Sequence, residues 1–143
     1  MPPPPPLWIC GDTLVELHVV GDDGFLSPAS WTWDSRTVPG LSAEQRGWFL
    51  NLDEVKPVVH AGEPCVLICS SGAGGVALVR RRDQAPLLVR PLVNAHSAEL
   101  LDGGWVAMAG SEGSDRLVIV GVDSGREVAV HPLPHGHGAV ADG

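Results

Sequence analysis

The sequence predicts an all-β fold, a β-propeller fragment of about three four-stranded blades, and three observations carry that expectation. The apolar segments are short, rich in Val, Leu and Ile, and parted by Gly, Asp, Ser and Pro about every ten residues, the pattern of antiparallel strands joined by hairpins. Stretches with helical period are nearly absent. Part of the chain also repeats, with a period of about 40 residues.

Taken in order, strands are expected near 7–10, 13–19, 29–34, 53–59, 65–69, 76–81, 87–90, 96–101, 105–110, 116–121 and 126–131. Turn chemistry marks most of the boundaries. Gly21-Asp22-Asp23-Gly24, Gly72-Ala73-Gly74-Gly75, Asp102-Gly103-Gly104 and Asp123-Ser124-Gly125 all supply residues that accept positive φ. A helical turn is expected at 42–49, inside a loop, where Ser42 can cap and Gln45 can close a capping box. The five tryptophans, Trp8, Trp31, Trp33, Trp48 and Trp105, are expected to anchor packing.

The repeat sets the organisation. Val66-Leu67-Ile68-Cys69-Ser70-Ser71, a glycine turn and Val76-Ala77-Leu78-Val79 recur as Val106-Ala107-Met108-Ala109-Gly110-Ser111, a polar turn and Leu117-Val118-Ile119-Val120. Val66 thus matches Val106 and Val76 matches Leu117, so the offset lengthens by one position across the turn. Leu7-Trp8-Ile9-Cys10 followed by Leu14-Val15-Glu16-Leu17 is a weaker third copy, and Gly136-His137-Gly138-Ala139 lies one such period after Ala95-His96-Ser97-Ala98. Four strands in about 40 residues make a propeller blade, a small sheet that stacks on its neighbours to bury its faces. This phasing gives a proline-rich tail at 1–6 and a partial propeller over 7–143, with blades at about 7–34, 53–90 and 94–131 and the start of a further inner strand at 135–143. Propellers usually close with about four to eight blades. The chain therefore reads as the front of a longer protein lacking its C-terminal half, with a head-to-tail homodimer as the alternative.

Composition narrows the partners. With 44% hydrophobic and 18% charged residues the chain is a folded, soluble protein, and no apolar run approaches the length of a membrane span. The start, Met1 and five prolines, has no secretory signal pattern, so a cytoplasmic location is expected. A net charge of −8 argues against nucleic acid and anionic lipid as partners. The basic cluster Arg80-Arg81-Arg82 reads as a solvated hairpin end. Cys10, Cys65 and Cys69 lie in apolar runs and read as reduced core thiols, with zinc a poor fit to their spacing.

Four segments, Trp8-Ile9-Cys10-Gly11-Asp12, Asp53-Glu54-Val55-Lys56-Pro57, Asn94-Ala95-His96-Ser97-Ala98-Glu99-Leu100-Leu101 and Pro134-His135-Gly136-His137-Gly138, together resemble a bacterial family of propeller-like proteins with WD40-like repeats and no established activity. The resemblance runs over nearly the whole chain. It implies the propeller fold and a family length about twice that of this chain, and it implies no reaction.

In a propeller the first strand of each blade lines the central channel, so ionisable groups there converge. The candidates are Glu54 and Lys56 from one blade, His96 and Glu99 from the next, and His135 and His137 from the third. Such a funnel can bind a carboxylate or sugar. It can also hold a divalent metal through His96, Glu99 and His137, the one cofactor considered, or run acid-base chemistry with His as proton carrier. The plainer reading is that these groups tie blades together. The expected function is a propeller-type binding or scaffold module for a small polar ligand or a protein. A metal-dependent or acid-base lyase or hydrolase, and a structural fragment with no activity of its own, are the alternatives. His18, His60 and His131 read as surface or strand-edge residues, and Gly72-Ala73-Gly74-Gly75 as a hairpin without the Lys-Ser or Lys-Thr of a phosphate loop.

Overall fold

The computed structural model describes residues 2–111 and 113–132. They form three antiparallel sheets, each a meander and none closed into a barrel. The first holds β1 (Leu7–Cys10), β2 (Leu14–His18) and β3 (Trp31–Asp34). The second holds β4 (Leu52–His60), β5 (Glu63–Ser70), β6 (Gly75–Arg80) and β7 (Pro86–Pro91). The third holds β8 (Ala95–Leu101), β9 (Trp105–Gly110), β10 (Arg116–Gly121) and β11 (Glu127–Pro132). Every strand expected between residues 7 and 131 is present, with ends within two residues of the expected ones.

The second sheet is the middle layer, and alternation along its strands shows how it is covered. Side chains on a strand point alternately to opposite faces. Cys65, Leu67 and Cys69 of β5, with Val76 and Leu78 of β6, pack against Ala98, Val106, Met108, Val118 and Val120 of the third sheet. The residues between them, Val66, Ile68, Ala77 and Val79, pack with Val15 and Trp33 of the first sheet and with Phe49. Both faces of β5 and β6 are therefore buried, which is why these strands read as unbroken apolar runs rather than as an apolar-polar alternation.

The connection between the first two sheets contains α1 (Ala43–Trp48), a single short helix among the described residues. Its start is the capping box expected from the sequence. Ser42 Oγ accepts the Gln45 backbone N–H at 3.1 Å, and Gln45 Oε1 accepts the Ser42 backbone N–H at 2.8 Å. The insertion is more than a surface loop. Phe49, at its C-terminal end, is fully buried, Trp48 packs beside the same cluster, and Arg46 donates to the carbonyls of Ser35 and Val38 at 2.8 and 2.6 Å. The short helix thus seals the junction between the first and second sheets.

Candidate functional site

The first strands of the second and third sheets, β4 and β8, lie beside each other and are joined by their side chains. Each begins with a bulge. The register of β4 on β5 passes from Leu52↔Ser70 to Glu54↔Cys69, and that of β8 on β9 from Ala95↔Gly110 to Ser97↔Ala109. One residue in each strand, Asp53 and His96, is left out of the pairing. A bulge re-aims the side chain it carries, and these two meet, with Asp53 Oδ2 at 2.8 Å from His96 Nδ1.

The correspondence continues along the strands. Lys56 pairs in register with Leu67, and Glu99 with Ala107, residues that are themselves one repeat apart. Lys56 and Glu99 thus occupy equivalent positions on neighbouring strands, and they form a salt bridge at 2.5 Å. The Lys56 ammonium also donates to the Ala98 carbonyl at 2.9 Å and lies 3.3 Å from Glu54 Oε1, which in turn accepts the Ala98 backbone N–H at 3.3 Å. Burial works against the Lys56 charge, but Glu99 and Glu54 outweigh it and leave its pKa raised. Lys56 is therefore a fixed cation tying two strands.

Of the residues singled out in the sequence, Glu54, Lys56, His96 and Glu99 fall into this one strip. His135, His137 and the inner strand expected at 135–143 lie outside the described residues. The strip holds three carboxylates against one ammonium, and its side chains keep between 23% and 42% of their surface exposed to solvent. Asp53 is the member that the sequence reading missed. Among the described residues, no three His, Cys, Asp or Glu side chains converge as a set of metal ligands. Glu99 is engaged by Lys56, and His96 by Asp53.

Two histidines read as surface or strand-edge residues prove to be partnered and mostly enclosed. His18 Nδ1 lies 2.7 Å from the Ser27 carbonyl, and His60 Nε2 lies 3.4 Å from Asp123 Oδ1 of the third sheet's last turn. The reading of Arg80-Arg81-Arg82 as a hairpin end holds for its outer members, since Arg80 pairs with Asp83 across the turn and Arg82 with Glu63.

The three thiols are free, as expected: Cys65 and Cys69 are buried, and Cys10 is partly so. Burial, and after it the Glu54 carboxylate 4.0 Å away, push the Cys69 thiol far up, while burial also raises Cys65 and Cys10. A disulfide reagent is expected to leave Cys65 and Cys69 untouched in the folded chain and to react with all three thiols after denaturation. Rapid reaction at either buried position in the folded chain would contradict the packing described above.

Among the described residues, no helix is long and apolar enough to cross a membrane. Comparison with curated proteins gives no match. Residues 17–131, from β2 through the greater part of β11, match a family of unknown function, DUF6528. A match that takes in β3, the whole second sheet, nearly all of the third and the whole Asp53–Glu99 strip, well over half of the chain, means that the chain belongs to the DUF6528 family.

Proposed function

We propose that the three sheets are blades of a β-propeller and that the chain is a binding or scaffold module whose ligand sits at the channel face lined by Asp53, Glu54, Lys56, His96 and Glu99. The observation that carries this reading is the correspondence between neighbouring first strands: equivalent positions hold Asp53 opposite His96 and Lys56 opposite Glu99. Propeller blades bring equivalent inner-strand positions around one axis. A ring of about four to eight blades would need further sheets, from more of the same polypeptide or from a second copy joined head to tail. The ligand in this reading is small and polar, or a protein loop with polar side chains.

The test is a protein-observed NMR screen of simple sugars, dicarboxylates, diamines and divalent cations, followed at the amides of 53–56 and 96–99. At least one class is expected to shift these amides saturably, and Asp53→Asn with His96→Gln is expected to abolish the shift while the fold is kept. If no class shifts them, or if the double variant responds like the parent, the strip only ties sheets together and the binding reading fails.

A further inference from the structure

A second site lies away from the strip, where the first and second sheets meet. A groove of about 370 Å³ is lined by Trp31, Pro64, Arg81 and Arg82. Behind it, the Trp8 and Trp31 rings pack edge to face at 5.6 Å, and the Arg81 guanidinium carbon sits 5.4 Å from the centre of the Trp8 ring. The Trp31 indole N–H donates to the Arg81 carbonyl at 2.8 Å, fixing the indole against the arginine backbone. The groove is at the small end of the range for ligand pockets, which begins at roughly 300 Å³.

Its charge is unusual for this molecule. The chain has seventeen acidic residues to nine basic ones, and the two arginines flanking Arg81 both have carboxylate partners. Among the described residues Arg81 has none; its partner is an aromatic face. A guanidinium held over an indole by its charge still has N–H donors to give, the fork that binds a carboxylate. Arg82, at the same groove, is held by Glu63 through Nε at 3.2 Å. The groove therefore offers an indole and a proline as an apolar wall beside Arg81, whose guanidinium has no carboxylate partner among the described residues.

We infer that this groove binds a small aromatic carboxylate, its ring against Trp31 and Pro64 and its carboxylate on the Arg81 guanidinium. The site is independent of the channel-face reading. The test uses phenylacetate and its uncharged counterpart phenylacetamide, followed at the tryptophan indole N–H resonances, with Trp31→Phe identifying the Trp31 signal. Phenylacetate is expected to shift the Trp31 resonance saturably with a Kd of about 1 mM, the range set by a ligand of this size. Phenylacetamide, and phenylacetate on Arg81→Met, are each expected to bind at least about tenfold more weakly, since a charge-assisted fork is lost. Absence of a saturable shift with phenylacetate, equal binding of acid and amide, or undiminished binding to folded Arg81→Met would each overturn the inference. The acid-amide comparison on the unaltered chain decides the matter even if Arg81→Met does not fold.

Discussion

Phe49→Ala is expected to destabilise the chain by about 3–5 kcal/mol, the range for emptying a buried phenylalanine site. Phe49 is fully buried, and its ring meets Trp33 edge to face with centroids 6.0 Å apart. An alanine would leave three elements without a common partner: α1, which ends at Phe49; the first sheet, through Trp33; and the middle sheet, through Val66, Ile68 and Ala77. The surrounding backbone has little freedom to collapse into the space, because the Ser35 hydroxyl donates to the Phe49 carbonyl at 2.6 Å and Arg46 ties the same loop. Chemical denaturation checks the value, with Phe25→Ala as control. Phe25 is 75% exposed and is expected to change stability by less than about 0.5 kcal/mol.

Gly74→Ala is expected to be comparably damaging for a different reason. Gly74 stands in the β5–β6 turn at φ +73, a conformation that costs an L-residue about 1–2 kcal/mol. It is also pressed against the linker between the second and third sheets. A Cβ would collide with the Leu92 carbonyl oxygen and fall 2.9 Å from the Asn94 nitrogen and 3.0 Å from the Ser70 oxygen, all backbone atoms unable to move aside. The turn is docked there by Leu92 N–H on the Gly74 carbonyl at 3.2 Å and Asn94 N–H on the Gly72 carbonyl at 2.9 Å. A loss of about 3 kcal/mol or more is expected, with the second and third sheets losing their common seam. Gly72 separates the two causes: it has the same φ but open space at its Cβ, so Gly72→Ala is expected to show the conformational cost of about 1–2 kcal/mol alone. Equal effects at the two positions would mean that the turn is not docked on the linker.

The strands, the turns and the Ser42–Gln45 capping box were legible in the sequence because they rest on local chemistry: alternation, glycine at positive φ, and a cap three residues from its partner. The burial of both faces of β5 and β6 was legible for the same reason, in solid apolar runs. Glu54, Lys56, His96 and Glu99 could be grouped because the repeat places them on equivalent strands. Asp53 could not. The offset that matches Val66 of β5 with Val106 of β9, carried back to the first strands, sets Asp53 against Val93, whereas the register of the two sheets makes Glu54 and Ser97 equivalent and so brings Asp53 to His96. His18 and His60 stand at the ends of β2 and β4, as the strand-edge reading has it, but their partners, the Ser27 carbonyl and Asp123, arrive from turns that no pattern ties to them. Phe49 sits in a stretch with no strand period, so its burial follows only from where the loop is folded back, whereas the packing of Trp48 beside the same cluster is what its residue type leads one to expect.

The central claim is that equivalent positions on neighbouring first strands face each other, with Lys56 and Glu99 held by opposite charge. A double-mutant cycle between Lys56→Met and Glu99→Gln, read by denaturant unfolding, tests it most directly. The pair is partly shielded from water and Lys56 has further partners in Glu54 and the Ala98 carbonyl, so a coupling energy between that of an exposed pair and a buried one is expected, about 1–2 kcal/mol. Additive effects, within about 0.3 kcal/mol, would mean that β4 and β8 do not meet through these residues and would contradict the assembly of the strip.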